Sequence, residues 1–207
     1  MNTLVEEFEH DGLKCEIHWE DSSFCDPRYA DNLGVMYCWH PDYVLGDEQF
    51  TRDDHDSMED VYNFLKFERQ AICILPLTIY DHSGVTMFVG GKHDYPFDSA
   101  GWDTTHTGYI YTTEERVQQL CGEDPEYREL RWLEEQLRQE VKVYATWLEG
   151  EVYWWQVLDT DGETLDSCGG YVGEIDYVRE EAKSSAEYYR KEILVNQEPN
   201  FPEGLKC

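Results

Sequence analysis

Three short turn-forming segments, each lying between two β-type runs, most strongly limit how this chain can fold. Asp11-Gly12 suits the positive φ angles of a two-residue hairpin turn, and residues 81–84 (DHSG) and 160–162 (TDG) have a similar composition. The flanking runs are rich in Val, Ile, Tyr and Trp, which favour strands. The sequence therefore predicts three β-hairpins, over residues 3–20, 71–90 and 152–171.

Helical periodicity occurs in four segments between and after the hairpins. The predicted helices cover about 58–69, 114–121, 125–148 and 175–193. Ser57 followed by Asp60 is typical of a capped helix start, and Thr113 can cap the second helix. A short strand is predicted at 34–39, an ordered loop at 90–107 and an irregular tail at 197–207.

Hairpins mixed with helices, without repeated βαβ units, predict the fold class. We expect α+β, with a mainly antiparallel sheet built from hairpins and packed with three to four helices. The sequence has no internal repeat and no Pro/Ser-rich linker. A single domain over residues 1–207 is therefore predicted, with a soft division possible near residue 123.

Charge limits the class of partner. The chain has 45 acidic and 16 basic residues, a net charge of −29. Such a charge repels nucleic acids and anionic membranes, and it attracts basic surfaces. We therefore expect no direct nucleic-acid binding, no membrane binding, and a partner protein with a basic surface; the sequence does not indicate an oligomeric state.

The cysteines and the N-terminal residues predict the compartment. The seven Cys residues are widely spaced and include no Cys-x-x-Cys pair, so neither a disulfide framework nor a zinc ribbon is indicated. The sequence MNTLVEEFEHD is acidic and lacks the features of a signal peptide. These features predict a protein of the reduced cytoplasm.

Three motifs occur in the order DNLGVMYCWHPDYVLGDEQ, LPLTIYDHSGV and GWDTTHTGYIYTT. Together they resemble a family of small acidic proteins from bacteriophages and other mobile elements, over about residues 28–175. The resemblance implies a protein that acts in the cytoplasm of a host cell, and it brings no catalytic residues. In that family the loop after the Trp usually reads Asp-Ser-Gly, whereas residues 103–108 here read DTTHTG, so no site role is carried onto this loop.

Two acidic clusters could in principle hold a metal ion, because carboxylate and imidazole groups bind Mg²⁺, Mn²⁺ or Ca²⁺. The candidate ligands are Asp53, Asp54, His55 and Asp56 in one cluster, and Asp94, Asp98, Asp103 and His106 in the other. Neither set has a recognisable ligand spacing. A metal-dependent enzyme with its site in the 94–106 loop is the first alternative function. Residues 159–163 (DTDGE) resemble the start of a calcium loop, but a hairpin turn explains them better.

Nucleophilic catalysis has one candidate, Cys38 with His40 and Asp42 nearby. Cys38 lies in an apolar run, where a core position is the simpler interpretation. The sequence contains no phosphate-binding Gly-rich loop, hydrolase elbow or zinc-binding helix motif. We therefore predict a protein that is not an enzyme and has no catalytic residue, metal or cofactor.

The N-terminal hairpin carries a regular array of acids with few basic neighbours in sequence. Glu7 and Glu9 lie on one predicted strand, and Glu16 and Glu20 lie on the other. The spacings are multiples of a two-residue step of roughly 6.6 Å, which keeps each pair on one face of its strand. In the stretch LGDEQFTRDDHDSMED at 45–60, a helix start explains the negative charge of Asp56, Glu59 and Asp60. It does not explain Asp47, Glu48, Asp53 and Asp54. The predicted partner-binding acidic patch consists of Glu7, Glu9, Glu16, Glu20, Asp47, Glu48, Asp53 and Asp54.

An acidic array of this kind can occupy a groove that neutralises phosphates with Lys and Arg. With the implied phage setting, this favours an anti-defence protein that mimics DNA or RNA in the nucleic-acid-binding groove of a host restriction or CRISPR nuclease. The second alternative is an acidic accessory or salt-adapted protein whose charge serves only solvation.

Overall fold

The structure is a computed structural model, and it describes residues 3–98 and 100–197. The strands, in chain order, are β1 (Leu4–His10), β2 (Leu13–Trp19), β3 (Val35–Cys38), β4 (Glu48–Gln49), β5 (Ala71–Asp81), β6 (Val85–Val89), β7 (Thr104–Thr113), β8 (Val152–Leu158) and β9 (Thr164–Val172). The α-helices are α1 (Met58–Phe67), α2 (Glu114–Cys121), α3 (Leu130–Leu148) and α4 (Ile175–Gln197). These elements confirm the predicted α+β class.

The chain forms two compact units. The terminal unit combines Met1–Cys25 with Glu151–Cys207, and the central unit is the continuous segment Asp26–Gly150. Each unit contains one sheet, where the sequence predicted a single mainly antiparallel sheet. The suggested division point, residue 123, lies inside the central unit.

The terminal unit is a four-stranded antiparallel sheet in the order β1-β2-β8-β9, with α4 packed on one face. Cys15 and Ile17 on β2 alternate with polar residues and point into the core beside Val157. Ala182 and Ala186 lie in the same core. Their small side chains allow α4 to lie close to the sheet.

The central unit is a five-stranded sheet in the order β4-β3-β7-β5-β6, antiparallel except for the β3–β4 pair. Leu137 and Val141 of α3 pack in the core on one face of this sheet. Leu65 of α1 packs with Tyr109 and Tyr111 on the other face. Strand β7 contributes apolar side chains to both faces, with Ile110 in the core under α3 and Tyr109 and Tyr111 in the core under α1.

The local predictions agree with the structure at the hairpins and helix caps. Asp11 and Gly12 have φ angles of 52° and 76°, as the predicted turn requires. The Ser57 side chain accepts a hydrogen bond from the Asp60 amide, and the Thr113 side chain accepts one from the Arg116 amide. The predicted helix starts are therefore confirmed for α1 and α2.

Three predicted boundaries differ from the observed ones. Residues Pro125–Arg128 form a 3₁₀ turn and Glu129 is extended, so α3 begins at Leu130 rather than near 125. β7 starts at Thr104, inside the predicted loop, because the segment 104–106 pairs with β5. Helix α4 extends to Gln197, and the rest of the predicted tail lies outside the described residues. No helix within the described part of the chain is long and apolar enough to cross a bilayer.

Candidate acidic interface

An acidic groove lies at one end of the sheet in the terminal unit. Because β2 pairs antiparallel with β8, with Lys14 opposite Leu158, the β1–β2 turn and the β8–β9 turn lie at the same end. The space between them is a groove of about 610 Å³. Its polar lining combines side chains of the first hairpin with the turn residues Asp159–Gly162.

Four carboxylates and one ammonium group line this groove. The carboxylates belong to Glu7, Glu9, Asp159 and Asp161. The ammonium group of Lys14 lies 2.8 Å from the Glu7 carboxylate. Glu7, Glu9 and Asp161 are exposed, so negative charge exceeds positive charge on a surface that solvent can reach.

The β8–β9 turn holds Asp161 in place through Asp159. The Asp159 carboxylate accepts hydrogen bonds of 2.9 Å from the amides of Asp161 and Glu163. This is an Asx-type turn, and it explains the DTDGE segment as the predicted hairpin turn. The Asp159 carboxylate is therefore mainly structural, whereas the Asp161 side chain is available to a partner.

Glu16, a predicted patch residue, is enclosed by internal partners. Lys14 Nζ lies 2.7 Å from its carboxylate, and Gln156 Nε2 donates to it at 2.6 Å. His18 Nε2 lies 3.1 Å away. The hydrogen bond from Lys14, followed by those from Gln156 and His18, lowers the Glu16 pKa to about 2. With a side chain only 13% exposed, Glu16 stabilises the sheet rather than facing a partner.

Two further acids of the first hairpin have partners, although the sequence predicted few basic neighbours for the hairpin acids. Glu20 follows the end of β2, and its carboxylate accepts a 2.6 Å hydrogen bond from the Gly170 amide. Arg179 of α4 lies 2.7 Å from the neighbouring acid Glu6. Arg179 and the Gly170 amide come from distant parts of the chain, so the hairpin sequence alone could not reveal them.

Asp47 also has internal partners. The prediction that it belongs to a partner-binding patch, made because no helix start explains its charge, is therefore corrected. Its carboxylate accepts hydrogen bonds from Arg28 at 3.0 and 2.6 Å and from the Met36 amide at 2.7 Å. The Arg28 side chain is only 3% exposed, and it also lies 3.0 Å from Glu140 of α3. Asp47 is therefore part of a buried ion-pair network that joins β3 to α3.

The remaining predicted patch residues lie on the surface of the central unit. Glu48 pairs with Arg69 at 2.9 Å. Asp54 accepts hydrogen bonds of 2.8 Å from the Thr51 side chain and amide, which lower the Asp54 pKa. Asp53 is exposed. Glu48 on β4 and Asp54 in the following loop thus each have a partner within the central unit.

The eight predicted residues consequently divide into two sets of four, one in each unit. Of the eight, Glu7 and Glu9 line the acidic groove. The sequence missed Asp159 and Asp161 as their neighbours, because the β2–β8 pairing joins segments about 140 residues apart. No local pattern reveals that pairing.

The metal alternative gains no geometric support. Across residues 3–98 and 100–197, no three His, Cys, Asp or Glu side chains are grouped so that they could hold a metal ion. Asp94 accepts a hydrogen bond from the Gly91 amide, and Asp98 accepts from the amides of Trp102 and Asp103. These carboxylates stabilise their own loop.

The residues proposed for nucleophilic catalysis do not form an active pair. Cys38 is fully buried in the core, and burial raises the pKa of its thiol. His40 Nδ1 accepts from the Asp42 amide and its ring stacks on Tyr43. Burial lowers the pKa of His106, whose Nε2 lies 3.0 Å from the Gly108 carbonyl oxygen. Cys38 is therefore a core residue, and a protonated thiol is a poor nucleophile.

No protein-family model matches this chain, and no curated protein or solved structure is significantly similar to it.

Proposed function

We propose that the protein is an anti-defence protein of a phage or mobile element, and that it mimics the phosphate backbone of DNA or RNA. It would occupy the basic nucleic-acid-binding groove of a host restriction or CRISPR nuclease. The observation that carries the proposal is the acidic groove, where Glu7, Glu9 and Asp161 are exposed at one end of the sheet. The setting in a host cell comes from the resemblance to mobile-element proteins.

Physical chemistry favours a basic protein as the ligand of this groove. Several carboxylates that face each other repel one another, and a cationic surface relieves that repulsion on binding. Complementary charge also raises the association rate and makes it sensitive to salt. A nuclease groove built to neutralise phosphates supplies such a surface.

Inhibition of DNA cleavage tests the proposal directly. The assay measures plasmid cleavage by a purified restriction endonuclease and by a Cas9-type nuclease, with the protein added at increasing concentration. The groove variant carries Glu7→Gln, Glu9→Gln and Asp161→Asn, which remove charge at nearly constant shape. We expect the wild-type protein to inhibit at least one nuclease, less strongly as salt rises, and the groove variant to lose at least tenfold in potency.

A matched control variant separates the groove from net charge. Glu115, Glu126 and Glu135 are exposed acids of the central unit, and their replacement by Gln changes the net charge by the same three units. This variant should inhibit like the wild type. Equal loss in both variants, or no inhibition of either nuclease by the wild type, would refute the proposal.

The same comparison tests the alternative that the charge serves only solvation. The sequence places 20 acids and 6 bases in the terminal unit, and 25 acids and 10 bases in the central unit. The net charges are therefore −14 and −15. A purely solvating role predicts that the groove variant and the control variant behave alike.

A further inference from the structure

Two large aromatic side chains of the central unit are almost fully exposed on the segment between β6 and β7. Phe97 is 84% exposed and Trp102 is 87% exposed. Single exposed apolar residues are common on protein surfaces. Two on one short segment are less easily explained, because aromatic residues exposed together often mark binding surfaces.

The segment is held by its own hydrogen bonds. The Asp98 carboxylate accepts from the amides of Trp102 (3.1 Å) and Asp103 (2.8 Å). Thr104 Oγ1 donates to the Lys92 carbonyl oxygen at 2.6 Å. Residues 92–98 and 100–103, called the aromatic loop below, thus carry Phe97 and Trp102 on a segment with several hydrogen bonds of its own.

Aromatic rings of β5 and β6 pack against the aromatic loop. Tyr95 stacks on Tyr80 of β5 at a centroid distance of 4.5 Å and on Phe88 of β6 at 5.2 Å. Phe97 meets Tyr95 edge to face at 5.7 Å. The exposed Phe97 ring is therefore the outer member of an aromatic cluster that is anchored on the sheet.

The charges around the aromatic loop are mainly negative. The acids are Asp81, Asp94, Asp98 and Asp103. Lys92 and His93 belong to the same loop, and His82 Nδ1 lies 3.2 Å from the Asp103 carboxylate. Burial opposes ionisation of Asp98, but hydrogen bonds from Trp102 and Asp103 outweigh it and lower the Asp98 pKa. Asp81 accepts a 2.9 Å hydrogen bond from the Tyr43 hydroxyl. The lowered pKa of Asp98 favours the charged form of its carboxylate.

Aromatic faces beside carboxylates favour one ligand chemistry. A guanidinium group stacks on aromatic rings and binds carboxylates. The chain itself contains this geometry, since the Arg52 guanidinium lies 4.5 Å from the centre of the Trp39 ring. An apolar partner would desolvate the neighbouring carboxylates without compensation, and an anionic membrane or nucleic acid would be repelled.

We propose that Phe97 and Trp102 form a docking site for arginine side chains of a partner protein. The site goes beyond nucleic-acid mimicry, because the acidic groove belongs to the other unit and neither proposal requires the other. In this site, the rings supply stacking surface, and the exposed side chains of Asp81 and Asp94 supply the opposite charge.

Binding of short peptides tests the site. The probes are acetyl-Arg-Gly-Arg-Gly-Arg-amide and its lysine counterpart, titrated calorimetrically at physiological salt. The wild-type protein should bind the arginine peptide more tightly than the lysine peptide. The variant Phe97→Ala/Trp102→Ala keeps the net charge, and it should lose affinity for the arginine peptide by on the order of tenfold, together with the preference for arginine.

The matched control is Tyr29→Ala/Phe67→Ala, which removes two exposed aromatic side chains of the same unit. It should bind like the wild type. All four positions are exposed, so the melting temperatures of both variants should stay close to that of the wild type. The groove variant should weaken both peptides equally and keep the arginine preference, which separates this site from the acidic groove.

Three results would overturn the proposal. One is unchanged peptide binding by Phe97→Ala/Trp102→Ala, and another is an equal loss in the control. The third concerns a second copy of the chain as the occupant. If sedimentation shows a wild-type dimer that Phe97→Ala/Trp102→Ala converts to monomers, the surface serves self-association.

Discussion

At the scale of single residues, Glu16 shows that an acid in a strongly acidic protein can stabilise the fold instead of binding a partner. Its carboxylate lies among Lys14, His18 and Gln156. The opposite residue on β1 is Glu7, so two like charges would face each other without Lys14. The lysine therefore neutralises a cross-strand repulsion and leaves Glu7 as the outer acid of the pair.

The low pKa of Glu16 predicts a pH dependence with a definite sign. A carboxyl group whose pKa falls from 4.5 to about 2 on folding stabilises the folded state above the unfolded pKa. This contribution is lost as the pH falls from about 4.5 to about 2. We expect Glu16→Gln to reduce the loss of stability over this window, measured by urea unfolding at several pH values.

The cause of this shift can be checked at the residue itself. In Lys14→Met, the NMR titration midpoint of the Glu16 carboxyl should move upward, because its main hydrogen-bond donor is removed. A midpoint that stays near 2 would show that Lys14 is not the cause.

Residue roles could be predicted from the sequence only where the partners are close in sequence. The Ser57 and Thr113 caps were predicted because each cap and its amide lie three residues apart. The buried pairs of Arg28 with Asp47 and with Glu140 join residues 19 and 112 positions apart. Local sequence does not show which of many acids an arginine selects, so Asp47 looked like a free surface acid.

At the scale of elements, the pairing of β3 with β7 depends on a glycine. Gly108 lies opposite Cys38 with a φ angle of 149°. A Cβ atom at this position would lie 2.0 Å from the Tyr37 carbonyl oxygen, a backbone atom that cannot move aside alone. The close approach of the two strands therefore excludes a side chain at residue 108.

The substitution Gly108→Ala should consequently destabilise the protein by about 1–3 kcal/mol or more, through strain and a disturbed strand pair. The matched control is Gly84→Ala in the β5–β6 turn, where a Cβ would meet no atom within 4 Å. Its effect should stay within about 0.5 kcal/mol. Chemical unfolding of both variants provides the measurement, and similar stabilities would contradict the steric argument.

The elements were predictable where turn chemistry and periodicity are local, as in the three hairpins and in α2. The assembly of the hairpins into sheets was not. The first and third hairpins belong to one sheet, in which β2 pairs with β8. The second hairpin belongs to the other sheet, in which β5 pairs with β7 and β7 pairs with β3. Because this strand order depends on packing between distant segments, the groove between the first and third hairpins could not be recognised in the sequence.

At the scale of the whole molecule, the central unit is one continuous segment with its own core on both faces of its sheet. We expect the fragment 26–150 to fold alone and to unfold cooperatively in urea, as measured by circular dichroism and tryptophan fluorescence. A non-cooperative transition would show that the central unit requires the terminal unit.

The terminal unit consists of two segments separated by residues 26–150, so its strands are synthesised at different times on the ribosome. The edge of β2 that pairs with β8 stays unoccupied while residues 26–150 are translated, for about 10 seconds at typical speeds. A nascent hairpin with an open edge can pair with hairpins of neighbouring polysomal chains. Charged residues on edge strands oppose such aggregation, so we expect Lys14 and Glu16 of β2 to limit pairing between nascent chains.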